Sequence, residues 1–136
     1  MKLEFLSKMC NASFARSTIA AFASQLDITL DDVSDIKTAV SEAITNSIIH
    51  AYKESIGMIK ITSKIILNTL EVCVEDEGCG IKNIALALEN SFTTAKFEGR
   101  CGMGFSIMKE YMDFLNVESD EKSGTKVFMK KIIKHE

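Results

Sequence analysis

The sequence predicts an α+β fold: a two-layer sandwich in which a mostly antiparallel mixed sheet carries helices on one face. Three observations lead there. Apolar residues recur at helical spacing up to Tyr52 and then, from Gly57 onward, alternate one by one. Helix-like and strand-like stretches come in blocks, not in strict βαβ alternation. A chain of 136 residues, 46% apolar and 26% charged, can build one core but not two, so residues 1–136 are expected to form a single domain.

Leu3 to Leu6 reads as a short strand. From Asn11, a candidate N-cap, Ala15, Ile19, Phe22 and Leu26 recur at helical spacing and predict a first amphipathic helix. Thr29 followed by Asp32 resembles a capping box and opens a second helix running to about Tyr52, with Val33, Ile36, Val40, Ile44, Ser47, Ile48 and Ala51 as its stripe. After the break at Gly57, Ile59, Ile61, Ser63 and Ile65 alternate with Lys60, Thr62 and Lys64. A turn at Asn68-Thr69 leads to Leu70, Val72 and Val74, alternating with Glu71, Cys73 and Glu75, which completes a β-hairpin with one buried face. Ile84 to Glu89 reads as a short helix and Ser91 to Gly99 as a polar, mobile segment. A third long helix is expected from about Gly102, burying Phe105, Met108, Tyr111, Met112 and Leu115. Strands over Asn116–Ser119 and Thr125–Ile133 then flank a turn at Asp120–Gly124.

Composition removes several classes of function. A formal charge of −3 offers no basic footprint for direct nucleic-acid binding. The apolar runs fall well short of the ~20 residues of a membrane helix, and the start Met1–Leu6 lacks the apolar block of a signal peptide, so no membrane contact and a cytoplasmic location are expected. Cys10, Cys73, Cys79 and Cys101 form no CxxC pair, and with only His50 and His135 beside them they read as free buried thiols, not as a zinc site.

Four short motifs can carry chemistry. At ~100° per residue, Glu42 lies opposite the centre of the second helix's stripe and Asn46 one turn further on the same side, so both point away from the core. Their neighbours Ala39, Ala43 and Ile49 are small or apolar, unusual for a face that meets only water. A carboxylate and an amide one turn apart can orient a nucleophile and offer hard oxygens to a divalent cation, while the plain alternative is a solvated face. Asp76-Glu77-Gly78-Cys79-Gly80 follows a strand: the acid can accept from a ligand amine and the glycines admit a flat ring, or the motif is simply a tight turn. Asn83 replaces the third glycine of a dinucleotide loop. Gly99-Arg100-Cys101-Gly102-Met103-Gly104 opens a helix, where backbone N–H groups and Arg100 suit phosphate, although Phe105 and Ser106 rule out a Walker loop. Ser123-Gly124-Thr125 alone is a turn. Five of the seven glycines, Gly78, Gly80, Gly99, Gly102 and Gly104, fall between positions 78 and 104.

The order of the pieces is more specific than any one of them. ExxxN on a helix, DxGxG after a strand, GMGF opening a helix and SGT before the last strand resemble the GHKL family of ATP-binding domains, with its Bergerat ATP-binding fold. Within it, SFARSTIAAFASQLD, DIKTAVSEAITNSIIHAY, VEDEGCGI, FTT, RCGMGFSIM and SGTKV are similar to the serine-kinase anti-sigma factors of spore-forming bacteria along nearly the whole chain. Ala51 stands where relatives commonly have glycine, and Cys101 where they have serine.

This resemblance implies an ATP-dependent protein serine kinase. By it, Asn46 holds the Mg²⁺ that bridges the ATP or ADP phosphates and Glu42 is the base or orienter for the incoming hydroxyl. Asp76 bonds the adenine amino group, Gly78 and Gly80 shape the ring pocket, and Thr125 supports it. Phe92 to Arg100, with Thr93 and Thr94, form an ATP lid, and Gly102, Met103 and Gly104 face the phosphates. The implied partners are the sporulation RNA polymerase sigma factor F, which is bound and silenced, an anti-anti-sigma factor phosphorylated on one serine, and a second copy in a homodimer. Arg16, in the SFAR stretch, contacts the partner proteins. About 100° off the first helix's stripe, it is expected to be exposed. Three other functions stay open: an ATP-dependent partner-binding switch without phosphotransfer, a histidine-kinase-like catalytic module, and a plain α+β interaction domain that binds no nucleotide.

Overall fold

The computed structural model describes residues 1–52, 55–80 and 104–134. The expected helix over Ile84–Glu89, the segment Ser91–Gly99, Cys101 and the candidate site residues Thr93, Thr94, Arg100, Gly102 and Met103 lie outside the described residues.

Strand β1 (Lys2–Leu6) passes into helix α1 (Met9–Ala23). The helix starts earlier than expected: Lys8 takes the N-cap position without a side-chain bond, while Asn11 sits in the first turn and donates from Nδ2 to the Leu6 carbonyl at 2.9 Å, closing the exit from β1. Ala12, Ala15, Ile19 and Ala23 form its buried stripe, with Phe22 and Leu26 packed at the edge of the core. Helix α2 (Leu30–Asn46) opens on the expected capping box. The Asp32 N–H donates to Thr29 Oγ1 and the Thr29 N–H to Asp32 Oδ2, both at 3.1 Å, an arrangement worth about 1 kcal/mol. At its end the helix widens into a π turn over Ser47–Ala51, closed by a bond from the Tyr52 N–H to the Ser47 carbonyl at 3.2 Å.

Strands β2 (Met58–Ile66) and β3 (Thr69–Asp76) form the expected hairpin, with Leu67 at φ 55° in its turn. Helix α3 (Gly104–Tyr111) then leads to β4 (Phe114–Asp120) and β5 (Gly124–Ile132). The third helix is shorter at its C-terminal end than expected, and Leu115 belongs to β4, paired with Met129. Two lysine and aspartate contacts stop the helix there: Lys131 Nζ donates to the Tyr111 carbonyl at 2.7 Å, and Asp113 accepts from the Ile132 N–H at 2.7 Å.

The strands lie in the order β1-β2-β3-β5-β4, and each pairing among the described residues is antiparallel. Period-two burial separates the faces. Ile59 and Ile61, then Leu70, Val72 and Val74, then Val127 and Met129 turn inward and meet Ile19, Ile36, Val40, Ile44 and Met108 from the helices. Outward, Glu75 pairs with Lys126 at 3.1 Å and Lys60 at 3.9 Å, partly exposed contacts of little energetic weight. The inward phase of β3 continues past Val74 to its last residue, Asp76, which faces the helical layer beside Ile59 and Thr125. This places a carboxylate where a hydrophobic side chain is the default.

Candidate functional site

Two of the sequence motifs meet on α2. This helix packs against both α1 and α3. Ile36, Val40 and Ile44 are buried, and so are Ala39 and Ala43, small residues that let neighbouring elements come close. Glu42 and Asn46 are half-buried, off the sheet-facing stripe. The first residue of α3 covers them: a Cβ placed on Gly104 would lie 3.0 Å from Asn46 Nδ2, 3.2 Å from Asn46 Oδ1 and 3.4 Å from Glu42 Oε2. The last glycine of GMGF therefore brings the start of a helix against the ExxxN pair.

Ser47, next to Asn46 in sequence, joins this half of the site to the other. Its hydroxyl donates to Asp76 Oδ2 at 2.9 Å, and Asp76 Oδ1 accepts from the Gly78 N–H at 3.0 Å and the Thr125 N–H at 3.2 Å. Asp76 is only 7% exposed. Burial pushes its pKa above the ordinary carboxylate range, and the bonds from Gly78, Ser47 and Thr125 pull it partly back. A carboxylate offers about four acceptor positions. Three are filled, and the second position on Oδ2 has no partner among the described residues. Thr125 stands directly across the ladder from Asp76, and its hydroxyl lies 2.8 Å from Ser119 Oγ on the next strand.

The other glycines of the site among the described residues are packed against the chain itself. A Cβ on Gly78 would fall 2.4 Å from the Ala51 Cβ and carbonyl oxygen, and one on Gly80, at φ +73°, 2.4 Å from the Asp120 carbonyl. Gly124, at φ +94°, takes a conformation that residues with a Cβ rarely adopt, and its backbone lies where a Cβ would meet the Asp76 carbonyl at 2.1 Å. The DxGxG turn is thus clamped between the end of the π turn and the β4–β5 turn.

Two residues without a functional reading in the sequence are central here. Ser47 appears there only as a member of the apolar stripe, and Tyr52 only as the end of a helix. Ser47 had a signal, since it is a hydroxyl on a buried stripe. For Tyr52 there was none. Arg16 corrects an expectation: it is half-buried, not exposed. At the border of a buried stripe a side chain of this length is partly covered. The cysteines correct another. Cys10 and Cys79 are exposed and Cys73 is half-buried, all three free. Cys10 lies in the first turn of α1, Cys79 in the DxGxG turn and Cys73 on the outward phase of β3. Burial, then the Glu75 charge, raise the Cys73 pKa to about 11, so that thiol stays neutral.

Asn46 and Glu42 offer hard oxygen donors, and among the described residues no group of three or more His, Cys, Asp or Glu side chains could hold a metal ion. That donor set suits Mg²⁺, which commonly takes one or two protein oxygens and draws the rest of its octahedron from phosphates and water. Among the described residues no helix is long and apolar enough to cross a membrane.

Known proteins resemble this chain in sequence and in fold. The family of the histidine kinase-like ATPase domain matches residues 7–131. A protein of Clostridium kluyveri named anti-sigma F factor is 52% identical over 132 residues, covering 97% of this chain and 93% of its own. One of the same name from Caldanaerobacter subterraneus subsp. tengcongensis is 53% identical over 133 residues, covering 98% and 93%. Among solved structures, the RsbU and RsbW domains of a Mycobacterium tuberculosis protein superpose with a TM-score of 0.69 at 15% identity, over 100% of this chain and 33% of that one. At that identity the likeness concerns the fold, whereas the matches near 50% extend to the sequence, and together they show that the chain belongs to the histidine kinase-like ATPase family and, within it, to the anti-sigma F factors.

Proposed function

We propose that this chain is an anti-sigma factor that binds and silences the sporulation sigma factor F. As a Mg²⁺-dependent serine kinase, it also phosphorylates one serine of an anti-anti-sigma factor. The observation that carries the reading is the joining of two polar centres through Ser47. On one side Asn46 and Glu42 face the start of α3, and on the other a buried carboxylate keeps one acceptor position open. Relatives at 52% and 53% identity that are named anti-sigma F factor support the partner.

In this reading Asp76 accepts from the adenine amino group, with Thr125 beside it, and Gly78 and Gly80 fix the backbone that borders the ring. The phosphates lie towards Asn46 and the N-terminus of α3, where Gly104 and, outside the described residues, Met103, Gly102, Arg100, Thr93 and Thr94 belong to the proposed phosphate and lid segment. Asn46 is the protein ligand of Mg²⁺, which when bound neutralises phosphate charge. Glu42, one turn from Asn46, takes the proton of the serine hydroxyl. Arg16 on α1 contacts the protein partners, and two copies form a homodimer. Incubation with the anti-anti-sigma protein, ATP and Mg²⁺, followed by mass spectrometry, is expected to show one added phosphate on that partner. No added phosphate, with nucleotide still bound, would leave a binding switch in place of a kinase.

Asp76 supplies a prediction in which function and stability move in opposite directions. Its folded-state pKa is raised, so the native chain holds the proton more tightly than the unfolded one. The stability due to that proton is fully present below the ordinary carboxylate value and is lost as pH rises through the raised one. At neutral pH a buried charge remains, and Asp76→Asn removes it while retaining an oxygen for the Gly78 and Thr125 N–H groups. The variant is therefore expected to melt at or above the wild-type temperature at neutral pH, with the difference shrinking on acidification. Its ATP affinity should fall about 10- to 100-fold, the loss of a charge-assisted hydrogen bond. Calorimetric melting across pH, combined with nucleotide titration, checks both. A variant that melts far lower, or that binds ATP as tightly as wild type, contradicts the role given to this carboxylate.

A further inference from the structure

Tyr52 follows the π turn and is only 8% exposed, yet its hydroxyl is satisfied twice: it donates to the Met58 carbonyl at 2.7 Å and accepts from the Glu77 N–H at 2.7 Å. The first bond reaches the start of β2, and the second the peptide immediately after Asp76. Its ring lies against Gly57, where a Cβ would come within 2.1 Å of the ring edge. At the other end of the same turn, Ser47 donates to Asp76 Oδ2 at 2.9 Å. One hydroxyl thus fixes the side chain of Asp76 and the other the backbone that carries it.

The π turn makes this double hold possible. In a regular α-helix, residues five apart are ~140° apart around the axis, which would turn one of the two side chains away from β3. The bond from the Tyr52 N–H to the Ser47 carbonyl closes the wider i to i+5 turn and brings both to the same end of the strand. Wide turns of this kind are uncommon and recur at functional sites.

We propose that Tyr52 is a positioning residue for base recognition, holding the Asp76–Glu77 peptide so that the open acceptor of Asp76 selects a 6-aminopurine nucleotide over a 6-oxopurine one. It rests on the reading of Asp76 as the adenine acceptor given above. The residue touches no ligand itself and acts through Asp76. A 6-oxo group presents an acceptor to a carboxylate that is also an acceptor, so discrimination depends on how firmly that carboxylate is aimed.

Tyr52→Phe keeps the ring and removes only the hydroxyl. Of the two bonds lost, the one from the Glu77 N–H bears on Asp76, so a Kd and KM for Mg-ATP raised about 3- to 10-fold are expected, the worth of one neutral hydrogen bond, with kcat nearly unchanged and the preference for ATP over GTP falling by a similar factor. Amide exchange at Glu77 should quicken. Unchanged ATP affinity and unchanged preference over GTP overturn the proposal, as does a fall in kcat with KM unaltered. Wild-type protein that binds ATP and GTP equally defeats the Asp76 reading itself, whereas wild-type discrimination that Tyr52→Phe fully retains defeats only the role of Tyr52. Should the variant not fold, the Glu77 amide in nucleotide-free wild-type protein decides: slow exchange supports a preset peptide, and exchange as fast as an open loop refutes it.

Discussion

Replacing Asn46 by alanine is expected to abolish Mg²⁺-dependent nucleotide binding and, with it, phosphorylation of the partner, while the fold persists. Asn46 is half-buried at the end of α2, outside the stripe of Ile36, Val40 and Ile44 that holds the helix to the sheet. Alanine is also a better helix former than asparagine by roughly half a kcal/mol. Melting within a few degrees of wild type follows. Function is expected to be lost because, among the described residues, no cluster of three or more acidic, histidine or cysteine groups exists to take over a cation. A polyphosphate bound without its cation loses several kcal/mol of charge neutralisation, a factor on the order of 10² to 10³ in affinity. Titration of a fluorescent ATP analogue with Mg²⁺ and with chelator separates this from a general packing defect. Wild-type affinity should collapse on chelation, while that of Asn46→Ala is already low and insensitive to it. A variant that retains the Mg²⁺ response places the cation elsewhere.

What the sequence made legible follows from periodicity. Alternation through Leu70, Val72 and Val74 fixes the face of β3 and, extended by two residues, assigns Asp76 to the buried side. The Thr29–Asp32 box marks the start of α2 because both of its bonds are local. The illegible features depend on contacts between distant segments. Nothing in the order Ser47 to Tyr52 announces a π turn, whose stability here comes from Asp76, Glu77 and Met58. Leu115 was ambiguous for a different reason: it continues both the helical series Phe105, Met108, Met112 and the alternating series that leads to Val117 and Ser119. Pairing of β4 with β5 decided for the strand. The approach of Gly104 to Asn46 and Glu42 was likewise invisible, although the small residues on that face of α2 hinted that something would cover it.

Glu42→Gln is expected to separate chemistry from binding: ATP affinity within about 2-fold of wild type, and phosphoryl transfer to the partner slower by ~10² to 10⁴, the usual worth of a positioned general base. Glutamine has nearly the same shape, so the contact with Gly104 and the spacing to Asn46 are preserved. It cannot take up the proton of the serine hydroxyl. One turn of helix separates it from Asn46, the distance at which side chains become neighbours on one face. A base acting on the hydroxyl and a cation ligand acting on the phosphates can therefore serve the same reacting group. Phosphoryl transfer asks mainly for positioning and charge neutralisation, so some transfer should survive in the variant. Single-turnover transfer from labelled ATP, measured beside nucleotide affinity, reads both quantities. An unchanged rate removes Glu42 from the chemistry. Equal loss of rate and affinity makes it a binding residue, and the slow step alone, with ATP and the sigma factor still bound, distinguishes a kinase from a nucleotide-gated clamp built on the same fold.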